Sequence, residues 1–154
     1  MIVRRAHLND LPKILELNNR ESKWVGNKDI DFFQRYMNIS FFSVAEYNGK
    51  IVGFLMAMDQ NTEYDSINFL WFKERYNKFF YIDRVIVDES IRGKGIGSLL
   101  YRELMDKREN IPLVAEVSIE PPNEGSVIFH DKIGFREVGT LKSGNKKVRM
   151  YYLK

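Results

Sequence analysis

The chain has 154 residues, 44% of them hydrophobic, which suits one domain with a buried core. Lys and Arg number 24 against 21 Asp and Glu, a net charge of +3 with cations scattered among acids, and this does not describe a nucleic-acid-binding face. No cysteine is present, which excludes disulfides, thiolate catalysis and cysteine–zinc sites, and the two histidines, His7 and His130, lie too far apart in sequence to suggest a metal site.

The opening MIVRRAHLND lacks the apolar core of a signal peptide, and no apolar run approaches membrane-spanning length, so a cytoplasmic protein with no membrane partner is expected. Ile2 to Ala6 reads as a short strand. Leu8, Leu11, Ile14 and Leu15 then recur at helical spacing, with Asn9 or Asp10 as cap and Pro12 in the first turn. A second helix is predicted over Asp29 to Asn38, with Ile30, Phe33 and Met37 on one side. Phe41–Tyr47 and Ile51–Met58 read as strands joined by Asn48-Gly49, a strong hairpin signal.

Residues 59–77 carry no clear period and are left unassigned; their aromatics, Phe69, Trp71, Phe72 and Tyr76, run on into Phe79, Phe80 and Tyr81. Phe79 to Val87 reads as a buried strand, and Ile96, Leu99, Leu100 and Leu104 mark a helix. Leu113 to Ile119 is a further strand, stopped by Pro121-Pro122. Asn123 caps a helix running to Lys132, which Gly134 ends. Phe135–Leu141 and Val148–Leu153 close the chain as a hairpin, and the basic run Lys146–Arg149 reads as a solvated strand end. The order β-α-α-β-β-β-α-β-α-β-β, with no repeat or linker, describes a single mixed α/β domain over residues 1–154.

Between the Val85–Val87 strand and the helix at Ile96 lies Arg92-Gly93-Lys94-Gly95-Ile96-Gly97-Ser98. A helix N-terminus exposes unpaired N–H groups and partial positive charge, and glycines before it let an anion reach the backbone. Three alternating glycines beside Arg92 and Lys94 therefore favour a phosphate site over a plain turn, for which one glycine suffices. The P-loop pattern fails, since Gly95 follows Gly93-Lys94 and Asp88 stands where its first glycine belongs. The dinucleotide fingerprint fits poorly, since Ser98 holds its last position and Asp88 to Arg92 separate the glycines from the strand; that reading survives only as a remote one, with Glu116 as the acidic ribose partner.

Arg92–Gly97 resembles the Q/R-x-x-G-x-G/A motif of the GNAT superfamily of N-acetyltransferases, and Val85-Ile86-Val87 resembles that family's central strand. Asn123, Ser126, Phe129, Gly134 and Phe135 resemble its later N-x-x-A-x-x-[FL]-Y-x-x-x-GF pattern, and RRAHLNDLPKILEL resembles its start. The resemblance implies an α+β fold with a mixed, mostly antiparallel sheet flanked by helices, splayed between the strands of Val85 and Val117. It implies acetyl-CoA as co-substrate and no metal. The pyrophosphate would rest on the backbone of Arg92, Gly93, Lys94, Gly95, Ile96 and Gly97, with Ser98 adjacent. The pantetheine arm would pair with Val85 and Val87 about Ile86, and would be flanked by Asn123 and Phe129.

The activity implied is acetyl transfer to a primary amine of a small molecule or peptide. The alternative is a non-catalytic acyl-CoA-binding module of the same fold. Dimers are common for such folds, and a homodimer is left open. His130 stands where the family commonly has its tyrosine acid, seven residues after Asn123, and is the candidate proton donor to the thiolate. Glu116 is the first candidate base and Asp83 the second, although either can form a plain ion pair and a water relay can serve with no dedicated base. Two extra residues within Ile119–Pro122 separate Glu116 from Asn123. The aromatic cluster reads mainly as core, with part of it, and Trp24, able to line an acceptor pocket.

Overall fold

The computed structural model describes residues Met1–Lys154. Seven strands and five helices are formed: β1 Ile2–Arg5, α1 Leu11–Arg20, α2 Ile30–Met37, β2 Phe41–Tyr47, β3 Lys50–Asp59, α3 Ile67–Lys73, β4 Phe80–Val87, α4 Ile96–Lys107, β5 Leu113–Glu120, α5 Glu124–Ile133, β6 Arg136–Ser143 and β7 Lys146–Leu153. The β1–β2, β2–β3, β5–β7 and β6–β7 pairs are antiparallel and β4–β5 is parallel, the mixed, mostly antiparallel arrangement expected. No helix is long and apolar enough to cross a membrane. The chain divides into two compact units, Met1–Met58 with Asp83–Glu109 and Asp59–Ile82 with Asn110–Lys154, so strand β4 contributes to each.

In the first unit the strand order is β1-β2-β3-β4. The β2–β3 hairpin turns at Asn48 (φ 51°) and Gly49 (φ 74°), both left-handed as the Asn-Gly pair predicts. Strand β3 is buried from Ile51 to Met58, so both of its faces are apolar rather than alternating. Phe33 of α2 meets Phe42 and Phe54 edge-on at centroid separations of 6.2 and 5.9 Å. Gly53 is required where β3 meets β4: a Cβ there would lie 2.8 Å from the Ile86 carbonyl oxygen. Helix α4 packs on β1 and β2, with Leu100, Tyr101 and Leu104 buried.

In the second unit the order is β4-β5-β7-β6. The parallel β4–β5 ladder holds two residue pairs, Phe80 with Leu113 and Tyr81 with Val114, whereas β5 pairs with β7 along nearly its whole length. Phe69, Phe72, Phe79 and Tyr81 are fully buried and in mutual ring contact, and they form this unit's aromatic core.

Helix α3 is the one element absent from the sequence expectation. Its seven residues are too few to show a helical period, and four of them are Ile, Phe or Trp, which have modest helix propensity. The helix forms because Ser66 caps it, accepting from Phe69 N–H, and because Phe69 and Phe72 bury one turn apart. The expected cap of α1 also differs in detail. Asp10 occupies the N-cap position, but its carboxylate accepts from His7 N–H at 2.7 Å and from Arg4 at 2.8 and 2.9 Å.

Candidate functional site

The glycine loop lies in the first unit. After Val87, Asp88 closes a short 3-10 turn over Glu89–Ile91 by accepting from the Ser90 N–H at 3.0 Å and hydroxyl at 2.9 Å, which holds the Asp88 carboxyl below its usual range. Arg92 is extended, Gly93 is left-handed (φ 81°), and Gly95 is left-handed again (φ 79°) as the residue before α4. Two glycines, not one, are therefore demanded by the turn itself. A Cβ built on either would meet nothing within 4 Å, so the side-chain side of the loop is open.

Helix α4 has no side-chain cap, and its first backbone bond runs from Leu99 N–H to Gly95 O. The N–H groups of Ile96, Gly97 and Ser98 precede that ladder, in the arrangement that binds phosphate oxygens. Lys94 is exposed, and the half-exposed Arg92 guanidinium is ion-paired with Glu21, just past the end of α1. A cleft of about 400 Å³ beside the loop is lined by Leu17, Arg20 and Glu21 and by Val87–Ser90. The open glycine loop, the uncapped helix start and the two cations fit the pyrophosphate of acetyl-CoA.

Val85 and Val87 are partly exposed on β4 and Ile86 is buried between them. Next to them, Asp83 pairs with Arg84 Nε at 2.6 Å, and both side chains are 4% exposed. Arg84 Nη1 donates to Asn18 Oδ1 at 2.8 Å and to Gly26 O at 3.3 Å, and its guanidinium lies over Phe32. A buried arginine thus ties the segment between α1 and α2 to β4. Asp83 is one half of a desolvated ion pair, which engages the carboxylate that base chemistry needs.

Glu116 lies in the second unit, on β5. Its Oε1 accepts from Tyr81 Oη at 2.9 Å and from Asn68 Nδ2 at 3.0 Å. From sequence, Tyr81 stands out only as a member of the aromatic cluster, and Asn68 does not stand out at all. Asn68 belongs to α3, which has no sequence signature, and Tyr81 reads simply as one more core aromatic.

Asn123 caps α5 as expected, its Oδ1 accepting from Ser126 N–H at 3.4 Å. The extra residues before it are taken up in a tight turn, closed by Asn123 N–H to Ser118 O at 2.9 Å and Ser118 Oγ to Pro121 O at 2.6 Å. Phe129 is partly exposed. His130 is 3% exposed, stacked on Tyr151 at 5.7 Å and edge-on to Phe129 and Phe135. Its Nδ1 lies 2.7 Å from Ser126 O, which assigns the proton to Nδ1 and leaves Nε2 as an acceptor. Burial pushes the imidazole below its ordinary 6.5 despite that bond, so the ring is neutral at pH 7.

Trp71, partly exposed on α3, has packing partners on β6 and just past the end of its own helix. Its indole packs against β6, where a Cβ on Gly139 would lie 2.6 Å from the ring, and Arg75 lies 3.8 Å from the ring centroid.

The fold and the sequence are similar to those of known proteins. Residues 9–135 match the acetyltransferase (GNAT) family model, and the chain belongs to that family. It is 41% identical over 69 residues to a phosphinothricin N-acetyltransferase of Streptomyces coelicolor, covering 44% of this chain and 40% of that protein. It is 28% identical over 129 residues to an uncharacterised N-acetyltransferase of Methanocaldococcus jannaschii, covering 82% of this chain and 49% of that one. The chain thus spans about half or less of the length of these curated relatives. Among solved structures, a protein of Salmonella typhimurium with its cofactor acetyl-CoA has the same fold, with a TM-score of 0.75 at 21% identity, covering 100% of this chain and 93% of that one.

Proposed function

We propose that this protein is an N-acetyltransferase that moves an acetyl group from acetyl-CoA to a primary amine of a small molecule or peptide, with residues 1–154 acting as one domain. The observation that carries the reading is the loop of two left-handed glycines, open on its side-chain face, at the uncapped start of α4. The backbone from Arg92 to Gly97, with Ser98, holds the pyrophosphate. Val85 and Val87, about Ile86, offer backbone groups to the pantetheine amides. When bound, acetyl-CoA supplies an activated acyl group.

Glu116 is the base we assign, accepting the proton that an ammonium must lose before its nitrogen can attack. Asp83 ranks second because Arg84 already engages it. His130 can donate to a thiolate only when doubly protonated, since its Nδ1–H is given to Ser126 O and burial disfavours the cation. We therefore assign it the weaker part, an acid below neutral pH. This same neutrality favours the second reading, an acyl-CoA-binding module without turnover.

The test is release of CoA thiol from acetyl-CoA in the presence of phosphinothricin, spermidine and an alanine-initiated peptide amide, with CoA affinity measured by calorimetry. Amine-dependent release that Glu116→Gln abolishes supports the proposal. Tight CoA binding with no amine-dependent release establishes the binding module instead.

A further inference from the structure

We propose that Asn68, with Tyr81, is a positioning residue for Glu116: the two donors hold its carboxylate ionised and fix its direction for proton acceptance. The proposal rests on the reading of Glu116 as the base. Its foundation is a convergence from three elements distant in sequence. Asn68 comes from α3, Tyr81 from β4 and Glu116 from β5, and both donors reach the same oxygen, Oε1.

The orientation of Asn68 is dictated by chemistry. A carboxylate accepts and does not donate, so the amide must turn its NH₂ toward Glu116. Its Oδ1 then faces away, and both this atom and the second Glu116 oxygen, Oε2, are buried without a hydrogen-bond donor, so the carboxylate is held through Oε1. A buried carbonyl without a donor is destabilising, and an apolar side chain of similar volume avoids that penalty. A residue serving packing alone gains nothing from this arrangement. It is explained by what Nδ2 does for Glu116.

The aromatic cluster supplies the rigidity. The Tyr81 ring meets Phe69 edge-on at 5.5 Å and Phe72 at 6.0 Å, and these two residues anchor α3 and with it Asn68. One packed group of rings therefore sets both donors against Glu116.

The surrounding charges do not compete for this role. Glu116 pairs in register with Met150 and shares its face of the sheet with Tyr81 and Tyr152, and Tyr64, Tyr76 and Arg136 contact those two rings. Asp83, two residues beyond Tyr81 along β4, falls on the same strand face and is held by Arg84. Glu63, Asp65 and Lys73, on α3 and the segment before it, are exposed. Arg149 and Tyr151 pair with Val117 and Ala115, so they lie on the opposite face, and Asp131, Glu137 and His130 contact them there. Asn68 and Tyr81 are both donors to Glu116 from its own face. Removing one donor to a carboxylate moves its protonation upward by about one pH unit. A second carboxylate in the same place moves it further.

The experiment is a titration of the side-chain carboxyl carbons in ¹³C-glutamate-labelled full-length protein, with Glu116→Gln identifying the resonance. Wild type, Asn68→Leu, Asn68→Asp and Tyr81→Phe are compared. The expected result is a Glu116 midpoint raised by about one unit in Asn68→Leu and Tyr81→Phe, and by more in Asn68→Asp. Acetyl-CoA affinity, read by calorimetry, stays at the wild-type value, and the acid limb of kcat/KM for the best amine of the panel moves by the same amount as the midpoint. Unmoved midpoints in folded Asn68→Leu and Tyr81→Phe overturn the proposal, and if Asn68→Leu does not fold, Asn68→Ser and Tyr81→Phe decide it. Amine-dependent turnover that survives Glu116→Gln overturns the base reading instead, a result separate from the midpoints.

Discussion

Replacing Gly95 with valine tests the phosphate loop most directly, because the structure separates strain from clash. Gly95 has φ 79°, and a Cβ there would meet no atom within 4 Å. The substitution therefore costs backbone strain and nothing in packing. For a β-branched residue held left-handed that strain is about 1–3 kcal/mol. In a chain of 154 residues this lowers Tm by about 3–10 °C and leaves the protein folded. The loop relieves the strain by rotating the peptide beside Gly95, which turns a backbone N–H away from the phosphate. Losing one charge-assisted hydrogen bond of about 1.5–3 kcal/mol weakens CoA binding by about 10- to 100-fold. Calorimetric titration with CoA reads the affinity and differential scanning calorimetry reads the stability. Gly125→Ala is the control: that site is open and helical with ordinary φ, so the variant gains up to about 1 kcal/mol and binds CoA as wild type does. A folded Gly95→Val variant with wild-type CoA affinity refutes the assignment of this loop to phosphate.

Three further outcomes are expected. His130 has a folded pKa depressed by burial, so the unfolded chain binds its proton first as pH falls through 6.5, and native stability drops below that pH at up to about 1.4 kcal/mol per unit; urea melts at pH 7.0 and 5.5 should show this part of the slope vanishing in His130→Phe, and an unchanged slope contradicts it. Gly139→Ala forces a methyl group to within 2.6 Å of the Trp71 indole and should cost about 1–3 kcal/mol, while the same change in a Trp71→Ala background costs much less; an additive double-mutant cycle rules that contact out. Glu21→Gln releases Arg92 from its ion pair and should tighten CoA binding by about two- to fivefold at low salt, an advantage that fades as salt is raised; weaker binding shows instead that Glu21 presents Arg92 to the ligand.

Much of the architecture was legible in the chain because local chemistry and tertiary demand agree there. Asn48-Gly49 specifies two consecutive left-handed residues, Asn123 and Gly134 bracket α5 with a cap at each end, and β2 runs from Phe41 to Tyr47 as its apolar composition indicates. The glycine loop was readable for the same reason, since positive φ and an open helix start are encoded by residues in direct succession. Tertiary structure alone decided the rest. Helix α3 exists because Phe69 and Phe72 have a core to enter, which no seven-residue period could announce. His130 is neutral because Tyr151 and Phe135, from two later segments, enclose it. Asp83 is engaged because Arg84, fixed by Asn18 and Gly26, turns back onto it. Glu116 acquires its two donors from positions 48 and 35 residues away. Spacing along a strand or helix places residues on faces, but protonation and hydrogen-bond partners depend on what the fold packs against those faces, and that depends on residues far off in the chain.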